Sequence, residues 1–422
     1  MALPALAPGL YPDIYCAMKR ILIFSLNYYP FIGGAEVALK EITDRLPAEE
    51  YEFHALVPRY DSNLARVEQV GRVLVHRIGF SRPGASISDQ SRYPLKLNKY
   101  WYQFFAARYA HKLHRKYRYD GIWAMMAHAT GIPAGIFKKR NPEVKYLLTL
   151  QEGDPPEHIE KLMKPVAGLF RQGFTSADAL QPISTFLLAW GKRMGFRGET
   201  RVIPNAVDTK KFAMARGEEE LLDARAKLGK KDGETLLITT SRLVRKNAVD
   251  DVLRALPFLP EHVTFAICGV GPEEVALRAL TNELQLASRV RFLGQCAHEE
   301  LPSLLAASDA FIRPSRSEGM GNSFIEAMAA GLPVIATQEG GIADFLFDAK
   351  RNPGTPTTGW AVDANSPQQI AEAVTDILAH PEKVREVVAT ARALALEKYD
   401  WDLVATEMEG LFRNLLGGPS KP

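Results

Sequence analysis

Residues 310–341 read AFIRPSRSEGMGNSFIEAMAAGLPVIATQEGG, a strand, loop, helix, strand and loop in direct succession. Phe311 to Arg313 make a short strand closed by Pro314 and Ser315, and the next loop carries Glu318, Gly319 and Gly321. The helix is expected to begin at Asn322 or Ser323, either of which can cap it with a side-chain oxygen. Phe324, Ile325, Met328 and Ala329 give an apolar stripe of helical period, and Gly331 with Pro333 ends the helix. Pro333 to Thr337 is a short bounded apolar run, as a buried parallel strand should be.

In such a unit the loop lies at the carboxyl end of its strand, where open parallel sheets bind ligands. The amides of Gly319, Met320, Gly321, Asn322 and Ser323 sit at a helix start and favour an anion. Glu318 precedes the helix and Glu326 lies eight positions on, one turn inside, so both can face one crevice. Free amides with two carboxylates suit a ligand carrying phosphates and hydroxyls. The plainer alternative is a pair of first-turn acids relieving the helix dipole.

The pattern E, seven residues, E inside PSRSEGMGNSFIEAMAAGLPVIAT resembles the signature of the retaining glycosyltransferases of the two-Rossmann-domain (GT-B) type, family 4 or group 1. The resemblance implies an α/β fold of two Rossmann-like, doubly wound parallel-sheet domains facing a central cleft. It further implies that Glu326 holds the nucleotide ribose, that Glu318 faces the transferred sugar, and that the donor is a UDP- or GDP-sugar. No cofactor and no metal are then required, and the acceptor is a glycan or a lipid-linked glycan.

The strand Thr235 to Thr240 leads into SRLVRKNAVDDVLRAL, a loop and helix. Arg242 and Lys246 are expected to project from that loop towards a diphosphate; taken alone, such residues are ordinary solvated bases. By resemblance they neutralise the leaving diphosphate, although the family spaces them one residue further apart and follows the Lys with Gly. Here Asn247 follows, and Arg245 is an alternative to Lys246. The strand Val263 to Cys268 ends in GVGPEE, where Glu274 stands in place of the third Gly of a dinucleotide fingerprint, so hydride transfer is poorly supported. Gly269 and Gly271 are instead placed along the donor cleft by resemblance, Gln295 beside the base, and Gly340 with Gly341 close to the same cleft.

The first half alternates strand and helix in the same manner. Arg20 to Leu26 is its first strand, followed by NYYPFIGG and a helix from Ala35 to Leu46. Gly33 and Gly34 let a backbone approach a ligand closely, or simply make a tight turn; the resemblance aims them at the donor diphosphate. Lys145 to Leu150 is a strand ending in TLQEGDPPEHI, a candidate sugar-side loop. Many relatives carry His where this chain has Gln151, and His128 is a second sugar-side candidate with a structural role as its alternative.

Residues 92–119 hold eight Lys or Arg, no Asp or Glu, and many aromatics. An amphipathic helix there can rest on anionic lipid, with Trp101, Phe104, Phe105 and Tyr109 towards the acyl boundary, or meet an acidic acceptor. A helix packed on the sheet with a solvated basic face is the plain alternative, and no recognised nucleic-acid motif accompanies the segment.

Length and composition fit this scheme. At 422 residues the chain suits two domains of about 200 residues each. A net charge of +3 does not by itself point to nucleic acid, and three widely spaced cysteines support neither a disulfide framework nor a zinc site. The cysteine usage fits a reducing cytoplasm, no apolar run reaches the roughly 18 residues that span a bilayer, and peripheral contact on the inner membrane face is left open. Residues 1–17 are expected to be a disordered extension with Met18 as the real start, 18–204 the acceptor-side domain, and 205–385 the nucleotide-sugar domain. A last helix within 386–418 is expected, by resemblance, to return to the first domain. Asp400 and Asp402 precede it and are read as caps rather than a metal pair.

Overall fold

The computed structural model describes residues 18–417. The expected extension at 1–17 and residue 418 of the expected last helix lie outside the described residues.

Two parallel sheets carry the architecture. The first is built from β1 (Lys19–Phe24), β2 (Tyr51–Pro58), β3 (Val67–Val70), β4 (Val73–Ile78), β5 (Gly121–Met125), β6 (Lys145–Leu150), β7 (Ala179–Pro182) and β8 (Glu199–Thr200). Its order is β3-β4-β2-β1-β5-β6-β7-β8, parallel except for the antiparallel edge strand β3. The second contains β9 (Thr235–Thr240), β10 (Val263–Cys268), β11 (Val290–Gly294), β12 (Ala310–Arg313), β13 (Val334–Ala336) and β14 (Trp360–Ala361). Its order is β11-β10-β9-β12-β13-β14, all parallel. Central strands such as β9 and β10 are covered on both faces by helices, which is why they read as nearly unbroken apolar runs.

The strand order reverses in the first sheet between β1 and β5 and in the second between β9 and β12. At such a switch point, the loops leaving the two central strands diverge and open a crevice at the carboxyl edge. In the second sheet these are the loops that begin at Ser241 and Pro314. Phe24, Leu150 and Ile183 of the first half and Met320, Phe324 and Ile342 of the second belong to one continuous buried cluster.

The tail differs from the expectation of one returning helix. It breaks at Tyr399 into two helices, Pro381–Lys398 and Trp401–Leu416. The first packs on the helix Asn322–Ala329, and only the second packs on Gly34–Arg45 beside the first sheet. There Phe412 meets Trp123 edge-on at 5.2 Å and lies 6.3 Å from Phe53. Asp400 caps this helix by accepting from the Asp402 amide at 2.9 Å, and Asp402 pairs with Arg45 and Lys210.

The basic segment forms the helix Asn98–Tyr117. Its inner face buries Tyr102, Ala106, Ala110 and Leu113, and the Tyr102 hydroxyl donates to the Leu56 carbonyl at 2.6 Å. Phe104 and Phe105 face outward, whereas Trp101 and Tyr109 pack partly against the core. Of four aromatics expected at one boundary, packing claims two.

Candidate active site

Arg313 organises the second sheet's carboxyl edge. It is the last residue of β12, 6% exposed, and its guanidinium donates to Ser323 Oγ at 2.7 Å and to Glu318 Oε2 at 3.0 Å. It also lies over the Phe324 ring, 4.1 Å from the centroid. Burial lowers the Arg313 pKa, and the charges of Glu318 and Glu326 both oppose that fall. Of the two acids read from the sequence, Glu318 pairs with this buried cation and Glu326 acts on it through its charge. A charge at the end of the buried run AFIR was the signal for this residue, which the sequence reading treated only as a strand end.

The helix Asn322–Ala329 starts without the expected side-chain cap. Gly321 occupies the cap position with φ +90°, and no side chain accepts from the first turn. Ser323 Oγ is engaged by Arg313, and the Asn322 amide group donates across the cleft to the Ala206 carbonyl at 3.4 Å. Gly319 N–H is satisfied by Glu318 Oε1 at 3.1 Å. The amides of Met320, Gly321, Asn322 and Ser323 meet no protein acceptor among the described residues. Such a helix start attracts an anion.

Glu326 is 9% exposed, and burial pushes its pKa up to about 7 despite the opposing charges of Arg313 and Lys211. His298 Nε2 lies 3.9 Å from its Oε1.

The flanking turns are locked by main-chain contact. A Cβ on Gly340, at φ +64°, would stand 2.0 Å from the Glu318 carbonyl oxygen, and Gly341 donates its N–H to that oxygen at 3.0 Å. A Cβ on Gly271 would stand 2.2 Å from the Leu243 carbonyl oxygen. Both positions need glycine because backbone lies on backbone. Gly271 thus presses the turn after β10 onto the loop that carries Arg242.

In that loop, Arg245–Asn247 form a 3₁₀ turn, and the buried Asn247 side chain donates to the Arg242 carbonyl at 2.7 Å. Lys246 Nζ reaches the first domain and lies 3.4 Å from Asp154 Oδ1. The Arg242 and Arg245 side chains are exposed and make no ion pair among the described residues. Gln295 follows β11 at the same edge and is exposed.

The first domain meets this edge through the turn after β6. A Cβ on Gly153 would stand 2.6 Å from Lys246 Nζ and 3.5 Å from Glu318 Oε1, and one on Gly319 would stand 2.5 Å from the Glu152 carbonyl oxygen. Ser317 Oγ donates to the Gly153 carbonyl at 3.2 Å. Gln151 and Asn205 pair through their amides at 3.0 and 3.3 Å, so the Gln151 amide is already engaged by the segment that follows the first sheet. His128 Nδ1 lies 3.4 Å from Glu152 Oε1. Gly33 caps the helix Gly34–Arg45 and donates its N–H to Glu36 at 2.7 Å, while Gly34 faces open space.

A cavity of about 860 Å³ lies elsewhere, beside Phe258, Trp360, Asp376 and Lys383. Its polar groups satisfy one another, for Trp360 Nε1 and Lys383 Nζ both reach Asp376 Oδ2 at 2.6 Å. None of the residues singled out above lines it.

Two family profiles match the chain, "Glycosyl transferases group 1" over residues 222–394 and "Glycosyltransferase Family 4" over residues 32–211. The chain belongs to this glycosyltransferase family. A GDP-mannose-dependent α-(1-6)-phosphatidylinositol monomannoside mannosyltransferase of Mycobacterium tuberculosis is 30% identical over 263 residues, 60% of this chain and 66% of that enzyme. Across the mannosyltransferases it matches, the chain spans 52 to 66% of their length. An α-monoglucosyldiacylglycerol synthase of Acholeplasma laidlawii is 23% identical over 417 residues, 95% of this chain and 98% of that enzyme. Sucrose-phosphate synthase from Thermosynechococcus elongatus superposes with a TM-score of 0.78 at 22% identity, covering 94% of this chain and 99% of that one. HepE of Anabaena, solved with UDP and glucose, gives a TM-score of 0.71 at 21% identity, covering 94% and 100%. The fold is therefore GT-B.

Proposed function

We propose that this protein transfers a sugar from a nucleoside diphosphate to an acceptor hydroxyl with retention of anomeric configuration. The observation that carries the reading is the buried ion pair of Arg313 with Glu318, close enough for the charge of Glu326 to act on the same guanidinium, beside an uncapped helix start. The diphosphate would lie on the amides of Met320 to Ser323, faced by Arg242 and Lys246, and the ribose hydroxyls would donate to Glu326. Charge-assisted bonds of this kind contribute about 1.5–3 kcal/mol each. Gly33 and Gly34 close the opposite side, and Gln295 stands near the base.

As the bond from the anomeric carbon to the phosphate oxygen breaks, its electron pair passes to the diphosphate and positive charge builds on the ring. Arg242, Lys246 and the helix amides stabilise the first charge, in positions fixed before the reaction begins. The acceptor oxygen bonds to the anomeric carbon from the same face, and its proton passes to the departing phosphate. Glu318 orients the sugar hydroxyls. In this scheme no metal and no protein base are required.

The relatives named for GDP-mannose, UDP and diacylglycerol support a GDP- or UDP-sugar donor and a glycolipid or glycan acceptor. Among the described residues no helix is long and apolar enough to cross a membrane. The basic face of Asn98–Tyr117, with Phe104 and Phe105 outward, supports peripheral contact with anionic lipid on the cytoplasmic side.

Product analysis tests the reading. Incubation with UDP-glucose or GDP-mannose and a diacylglycerol or phosphatidylinositol glycoside is expected to release nucleoside diphosphate in step with a new glycosidic bond of the donor's anomeric configuration. Phosphate-dependent cleavage without such a bond would make it a phosphorylase instead. Glu318→Ala is expected to lower kcat/KM by about tenfold or more.

A further inference from the structure

Glu152 follows β6 at the first sheet's carboxyl edge, and its side chain is fully buried, with a relative exposure of 0%. Its Oε1 faces His128 Nδ1 at 3.4 Å, while its Oε2 has no hydrogen-bond partner. Withholding such an oxygen from water without a donor is costly, and more so if it is charged. No Lys or Arg forms an ion pair with Glu152 among the described residues, and an O–H or N–H donor would complete its Oε2.

The main chain around it says where that donor comes from. The Glu152 carbonyl lies against Gly319, and Gly153 lies against Lys246 Nζ and Glu318 Oε1. The carboxylate thus hangs from the same turn that meets the signature loop and the diphosphate-facing lysine. A phosphate would be repelled here; a sugar hydroxyl is not. His128, on the π-turn Ala127–Gly131 that follows β5, is 30% exposed at its side chain. Donation from Nδ1 to Oε1 leaves Nε2 as an acceptor for a second hydroxyl.

We propose that Glu152, oriented by His128, accepts a hydrogen bond from a hydroxyl of the sugar carried by the nucleotide donor, so that the first domain reads which sugar is transferred. This rests on the donor reading given under Proposed function.

Calorimetric titration with UDP, GDP, UDP-glucose and GDP-mannose tests it on the wild type, Glu152→Ala, Glu152→Gln and His128→Ala. For whichever nucleotide the wild type binds, Glu152→Ala is expected to leave the Kd of the bare diphosphate within about twofold and to weaken the sugar nucleotide about tenfold. Glu152→Gln keeps the shape and one acceptor oxygen and should fall between. His128→Ala, at a more exposed position, should show the same selective loss at smaller size and decides the matter if Glu152→Ala does not fold. Equal changes for diphosphate and sugar nucleotide, or none, would overturn the inference and leave the donor reading standing. A wild type that binds none of the four would overturn that reading, and this one with it.

Discussion

Gly340 and Gly34 each open a helix at the carboxyl edge of a sheet, and their surroundings are opposite. A Cβ on Gly340 would stand 2.0 Å from the Glu318 carbonyl oxygen, whereas one on Gly34 meets nothing within 4 Å. The contrast extends to the loops they serve. Around Gly340 the turns of the second domain lie on one another's backbone, and Arg313 ties Glu318 to Ser323 from beneath. Around Gly34 no backbone lies on backbone, and the turn is tied by the Gly33 N–H bond to Glu36, a carboxyl whose pKa burial raises. A rigid edge holds charge-bearing groups where charge will develop, without reorganisation during the reaction. An open edge can accommodate acceptors of different shape.

The sharpest way to break this contrast is to remove its central cation. Arg313→Ala leaves Glu318 without its buried partner and Glu326 without a nearby positive charge, and is expected to lower unfolding free energy by about 3–5 kcal/mol, read from urea denaturation. A loss near that of a surface substitution would mean that Arg313 does not hold the edge.

A second test uses pH. The Glu326 pKa lies near 7 in the fold, above the ordinary glutamate value of 4.5. Between those values the folded state keeps a proton that the unfolded state has released. The contribution is complete below pH 4.5 and is lost as pH rises through 7, by about 3 kcal/mol in total. Glu326→Gln should flatten that part of the stability profile, whereas an unchanged slope would put Glu326 in water.

The third test compares the two glycines directly. Gly340→Ala should cost about 1–3 kcal/mol, since backbone must shift to admit the methyl group. Gly34→Ala should change stability by less than about 0.5 kcal/mol, because its methyl group enters open space. Equal effects would erase the difference between the two edges.

Much of this was legible in the sequence because the informative features are local. Strand β9, strand β10 and the helix Asn322–Ala329 follow from period and punctuation, while Glu318 and Glu326 were singled out by the resemblance of the whole motif. What was not legible depends on residues far apart in the chain. Asn322 or Ser323 was expected to cap its helix, yet Gly321 takes the cap position and Arg313 engages the Ser323 hydroxyl, which only the folded strand-helix pair reveals. Glu152 was passed over beside Gln151 because its burial and its lack of a partner for one oxygen appear only in the fold. The start of the last helix was legible from its Asp400 cap, whereas the bond from the Val207 amide to the Tyr399 carbonyl at 2.9 Å joins residues far apart in the chain and was not.

The most direct test of the central claim is a crystal structure with UDP-glucose or GDP-mannose bound. The diphosphate should lie within hydrogen-bond distance of the Met320 to Ser323 amides, with Arg242 and Lys246 facing it and the ribose hydroxyls on Glu326. A nucleotide seated instead in the cavity beside Trp360, or one whose ribose leaves Glu326 untouched, would contradict the account.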